Sequence, residues 1–133
     1  MSNQYQAEII RLHQFFVDWF TGRLPKTAEA RAAFDEAMGD EFVIISPTGA
    51  VSGRGQTVDN IDKAHGAMSD ISIWIENVTV RQQIGELVIV TYEEWQTRGE
   101  NTTRRLSTVL FQQAPQARYG LYWLHVHETW LNV

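Results

Sequence analysis

The stretch that decides the fold is Leu121-Tyr-Trp-Leu-His-Val-His-Glu-Thr-Trp-Leu131. Successive side chains of a strand point to opposite faces. Read at that period, Trp123, His125, His127 and Thr129 share one face, and Tyr122, Leu124, Val126, Glu128 and Trp130 share the other. A strand wetted on one side would alternate apolar with polar residues. Here both faces carry rings or branched aliphatics, so both need covering. The face with two histidines beside a tryptophan reads as the wall of a polar-aromatic pocket.

Three long strands are expected before it. Ile71 to Arg81, Leu87 to Arg98 and Thr102 to Gln113 are separated by Gly85 and by Gly99-Glu-Asn101, and Pro115-Gln-Ala precedes a last strand over Tyr119–Val133. Each exceeds the usual five or six residues, so they must twist and bend. Upstream, Ile9, Leu12, Phe16 and Trp19/Phe20 recur at helical spacing, widened by Phe15. Ser2 or Asn3 can cap that helix and Gly22 ends it. A second helix is expected from Ala28 to about Met38, capped by Thr27 and stopped by Gly39. Phe42–Ile45 and Ala50–Arg54 read as a short hairpin around Pro47-Thr-Gly49, and Gly55 to about Ala67 as a third, weakly amphipathic helix.

Helices followed by an antiparallel meander predict an α+β layer architecture in one domain, residues 1–133. The helices can cover one sheet face. The other also carries apolar side chains, Leu87, Ile89 and Trp95 alternating with Val88, Val90 and Tyr92. A large exposed apolar face marks an interaction surface, so a homodimer through the outer sheet face is expected.

Composition narrows the function classes. The chain has 133 residues, 44% hydrophobic, and a net charge of −5. That charge argues against a phosphate-backbone partner, so no nucleic acid is expected. No apolar run approaches the roughly 20 residues of a membrane span, and the N-terminal residues lack a signal-peptide pattern. The expected setting is cytoplasmic, without a membrane partner. Cysteine is absent, which excludes disulfides and thiolate chemistry. There is no Gly-x-Ser-x-Gly elbow and no Gly-rich phosphate loop, and no cofactor is implied. His125 and His127 lack a third ligand at a recognisable spacing, so no metal site is expected.

The element order, with Asp40-Glu-Phe-Val-Ile-Ile-Ser-Pro-Thr-Gly49, Ser52-Gly-Arg-Gly55, Arg105-Leu-Ser-Thr-Val109 and Trp123-Leu-His-Val-His127, resembles the nuclear transport factor 2-like superfamily. It is most similar to the branch holding SnoaL-like proteins and the association domain of calcium/calmodulin-dependent kinase II. The resemblance spans about Tyr5 to Leu131 and implies a cone-shaped, cystatin-like fold, with three N-terminal helices packed on a strongly curved antiparallel sheet. It also implies a pocket between the first helix and that sheet, and dimers through the outer face. The branch often carries a second histidine two positions after the first. Here Thr129 stands there, and His125 instead precedes His127.

His127 matches the branch's histidine, and an imidazole titrating near neutrality can act as acid, base or donor. Glu94 is expected on the face of Tyr92, where a carboxyl among rings has a raised pKa and can serve as base. Those two are the candidate catalytic residues. Trp123, Tyr92, Arg105, Trp95 and His125 are the candidate ligand-binding residues, with Glu93 or Glu94 as Arg105's expected partner if it is not a ligand. The leading expectation is a small-molecule-binding protein of the SnoaL-like type. The alternatives are a proton-transfer lyase or isomerase using His127 and a carboxylate, and a homo-oligomeric assembly module.

Overall fold

A stripe of Tyr5, Ile9, Leu12, Phe15 and Trp19 is buried along α1, Gln4–Phe20, against the sheet and the following helices. The computed structural model describes residues 4–133, so the capping role expected of Ser2 or Asn3 falls outside the described residues. Gly22, at φ +81°, turns the chain out of α1, and Leu24 N–H bonds the Asp18 carbonyl at 3.1 Å. The indole of Trp19 donates to the Ile61 carbonyl at 2.7 Å and ties α1 to α3, Arg54–Lys63.

Helix α2 spans Ala28–Asp35, with the Thr27 hydroxyl accepting from Ala30 N–H at 3.1 Å. It stops before Met38, three residues short of the sequence expectation. The cause is tertiary: Trp123 N–H takes the Ala37 carbonyl at 2.9 Å, and Met38 already pairs with Trp123 as the first residue of β1, Met38–Ile45. Propensity yields here to sheet pairing.

Strand β2 is Val51–Gly53, followed by β3, Ile71–Ile84, β4, Leu87–Arg98, β5, Asn101–Gln113, and β6, Leu121–Leu131. They form one curved, unclosed sheet in the order β2-β1-β6-β5-β4-β3. Contrary to the sequence expectation, the strands do not all run antiparallel. The sheet is mixed, because β1 runs parallel to β6 while the other pairs are antiparallel. The architecture is α+β, with helices on the concave side. No helix among the described residues is long and apolar enough to cross a membrane.

The decisive local feature lies in β6. Phe111 pairs with Trp123 and Leu110 with His125, so Leu124 is an extra residue. Such a bulge inserts one residue and changes which side chains share a face. Before it, Leu121 and Trp123 point inward; after it, Val126 and Glu128 do. His127 is exposed and lies on the other side from Trp123. The expectation that Trp123, His125 and His127 share a face therefore fails at Leu124.

Candidate functional site

Between α1 and the inner sheet face lies a cavity of about 220 Å³. Its apolar wall includes Leu12, Phe16 and Phe20 from α1, Phe34 from α2, Phe42 and Ile44 from β1, and Trp123 and Val126 from β6. The polar side chains of His13, Tyr92, Glu94, Gln96, Arg105 and Glu128 converge on it, with Thr57 of α3 also on the wall. The strand register explains the group. Tyr92 pairs with Ser107 and Ser107 with Glu128, while Glu94 pairs with Arg105, so alternate residues of three neighbouring strands face one space.

His13 and Glu94 form a buried pair. His13 Nε2 lies 3.1 Å from Glu94 Oε1, and its Nδ1–H donates to the Ile9 carbonyl at 2.7 Å. A carbonyl only accepts, so Nδ1 carries a proton. Burial opposes charge on both partners, but the pair overcomes it. The His13 pKa is raised because the Glu94 charge and hydrogen bond outweigh desolvation. The Glu94 pKa falls to about 2 because His13, Arg105 and the Gln96 amide, 2.6 Å from Oε2, outweigh the same burial. Glu94 was expected to have a raised pKa and act as base; partners from α1 and β5 reverse the sign.

Glu128 behaves oppositely. Burial first, and then the nearby Glu94 charge, lift its pKa to about 7, against the pull of Arg105 and His13. Its one ion pair among the described residues, with Arg105 Nη1, is long at 3.4 Å. Burial, together with Glu94 and Glu128, holds the Tyr92 hydroxyl well above its ordinary pKa, so it stays a neutral donor. Two carboxyls in one cavity with separated pKa values are the recurring design of acid–base sites. Trp123 serves the walls: its indole donates to Glu8 at 2.8 Å, and Arg11 clamps the same carboxylate at 2.7 and 2.8 Å. No group of three or more His, Asp or Glu side chains among the described residues is arranged to hold a metal ion.

Residues 5–132 match the C-terminal family of sucrose-6-phosphate phosphohydrolase. The chain belongs to that family. Sucrose-phosphatase 2 of Nicotiana tabacum is 24% identical over 128 residues, covering 94% of this chain and 30% of that protein. Sucrose-phosphatase 1 of the same plant is 23% identical over 128 residues, with the same coverages of 94% and 30%. The chain thus spans about 30% of the length of these curated relatives. Among solved structures, a nuclear transport factor 2-like protein of unknown function from Pseudomonas aeruginosa superposes with a TM-score of 0.87 at 24% identity, covering 97% of this chain and 99% of that one. The hub of calcium/calmodulin-dependent kinase II from S. rosetta superposes at 0.57 and 18% identity, covering 74% and 80%. The fold is nuclear transport factor 2-like, as the sequence resemblance implied.

In this sucrose-6-phosphate phosphohydrolase C-terminal family member, Trp123, Tyr92, Glu94 and Arg105 line the cavity. His127, His125 and Trp95 do not. Trp95 stacks on Trp74 at 5.7 Å between ring centres on the outer face. Arg105 pairs with Glu128, not with Glu93 or Glu94, because Glu93 faces outward and bonds Arg104 at 3.0 Å.

Sequence reasoning passed over His13 and Glu128. His13 had a readable signal, since 9, 13, 16 and 20 fall on one helical stripe and place it among Ile9, Phe16 and Phe20. Glu128 was read on the face of Val126, and the bulge turns that face toward the cavity.

Proposed function

We propose that the cavity binds a compact, partly apolar small molecule whose hydroxyl or carbonyl oxygen meets Glu128, His13 and Tyr92. The observation that carries this reading is the convergence of those groups inside an otherwise phenylalanine-lined space. Buried ionisable groups cost free energy unless paired, and Glu128 is paired only weakly. A mostly apolar cavity with a few convergent polar groups is the usual form of a small-molecule site. The family relationship makes sucrose and sucrose 6-phosphate obvious probes, although phosphatase activity belongs to proteins of which this chain matches about 30%. The test is a thermal-shift screen of metabolites, those two included, on the natural chain and on E128Q. A set of stabilising ligands weakened by E128Q supports the reading. Ligands whose effects are all indifferent to Glu128 contradict it.

A second reading is proton transfer next to a carbonyl, as in a lyase or isomerase. It is favoured by the separation of Glu94, at about 2, from Glu128, at about 7. Glu128 would move the proton, the Tyr92 hydroxyl would hold the carbonyl oxygen, and the His13–Glu94 pair would fix the field. Solvent exchange of an α-proton, followed by NMR on any ligand from the screen, checks it. Exchange at the same rate in E128Q would contradict it.

Self-association through the outer sheet face rests on a separate observation. Trp74 and Leu87 are each 39% exposed there. Light scattering at micromolar concentration should find a dimer, and a strictly monomeric chain would contradict this interface.

A further inference from the structure

A second recess of about 210 Å³ adjoins the cavity. Gln96 and Arg105 line both spaces, and Arg98, Asn101, Thr103 and Trp130 complete the recess. Its lining holds two arginines and no carboxylate, in a chain whose net charge is −5. The positive character is therefore local.

Arg105 joins the two spaces, and much of its binding capacity is unspent. A guanidinium has five N–H donors in a planar fork. Here, among the described residues, one ion pair is formed, with Glu128 at 3.4 Å, and Nε is buried without a hydrogen-bond partner. The group is held in place all the same, because its Cζ sits 4.7 Å from the centre of the Trp130 ring. Trp130 is itself 46% exposed, leaving ring surface for a ligand. Arg98 is exposed and makes no ion pair among the described residues.

We propose that the recess is the second half of the ligand site and takes a carboxylate. The ligand's acid group would sit on Arg105 with Arg98 beside it, and its apolar body would extend into the phenylalanine-lined cavity. This rests on the small-molecule reading above and names the ligand class: a small carboxylic acid. The fork of Arg105 matches the two oxygens of a carboxylate, and Glu128 engages it through Nη1 alone, at 3.4 Å. A phosphate dianion would bring a second negative charge close to Glu94 and Glu128, which disfavours it.

The test uses benzoate, its neutral isostere benzamide, and phenyl phosphate, each titrated against the full chain. Binding is followed by the indole N–H resonance of Trp130, assigned with W130F. Benzoate should bind about tenfold or more tightly than benzamide, the usual scale of a charge-assisted hydrogen bond. R105Q should erase that preference, and R98Q should reduce it. Benzamide binding as well as benzoate, or a preference that survives R105Q, overturns the inference while leaving the cavity reading intact. If neither compound binds, both fall. Phenyl phosphate binding more tightly than benzoate overturns the choice of carboxylate. Should R105Q fail to fold, the isostere comparison on the natural chain and on R98Q decides.

Discussion

His13 of α1 and Glu94 of β4 meet at 3.1 Å, and their mutual attraction overcomes the burial of both. It fixes one carboxylate in the ionised form and leaves its neighbour Glu128 as the group that titrates near neutrality. The pH dependence of stability should report this. Glu94 has a folded pKa of about 2 against an ordinary 4.5, so its contribution is present above 4.5 and lost as pH falls toward 2. Glu128 has the opposite sign. Its folded pKa of about 7 means that the folded chain holds a proton the unfolded chain has released, so stability falls as pH rises from 4.5 to 7. His13, raised above 6.5, adds stability below that value and loses it as pH climbs through its folded pKa. Urea unfolding across the pH range should therefore show a maximum near pH 4.5–5 from these groups. A steady rise from about pH 5 to 8 would contradict the assignment.

E128Q should flatten the decline between pH 4.5 and 7, because it removes the proton that the folded state retains. The difference in stability change between the two chains across that window should be on the order of 3 kcal/mol, from the span between 4.5 and about 7. Parallel curves for the natural chain and E128Q would place the titrating group elsewhere.

The fold was largely legible because it rests on long periodic signals. The aromatic stripe of α1, the turn glycines and the length of the last four strands all survive translation into structure. The site was half legible. Tyr92 and Glu94 lie in β4, which pairs with β5 without a register shift, so their parity held. His127 lies past Leu124, and one inserted residue is invisible to a period-two reading. Arg105's partner was misread because the choice between Glu93, Glu94 and Glu128 depends on which strand lies beside which face. His13 was passed over because the sequence alone does not say which strand lies opposite α1 and so brings Glu94 to it.

His127→Ala therefore serves as the control for the site. Its side chain is exposed on the outer face, so ligand binding should change less than about twofold, as expected for surface positions away from a site. Isothermal titration with any ligand from the screen gives the value. A loss as large as that of E128Q would mean that the outer face takes part.

The bulge has its own test at Gly39 of β1. A Cβ there would lie 2.8 Å from Leu124 Cδ2 and 3.4 Å from the Trp123 carbonyl oxygen. Gly39→Ala should cost about 1 kcal/mol, the scale of pushing a side chain off its rotamer. The cost should shrink in an L124A background, which removes the clashing methyl. Gly55→Ala, inside α3 where a Cβ meets nothing within 4 Å, is the comparison without a clash and should not destabilise. Equal costs at Gly39 with and without Leu124 would contradict the packing.

Trp123→Phe keeps a ring in the wall but deletes the 2.8 Å bond to Glu8. Glu8 stays paired with Arg11 but loses one donor, and the folded state should lose about 1–3 kcal/mol. Urea unfolding measures it, and an unchanged midpoint would show that the indole bond adds nothing.

One cavity holds two carboxyls of opposite tuning. The most direct measurement is a carbon-detected NMR titration of the glutamate side chains, with E94Q and E128Q assigning the two signals. One buried carboxyl should titrate at about 7 and be assigned to Glu128, and another should stay ionised down to about 2 and belong to Glu94. Two signals that both titrate near 4.5 would contradict it.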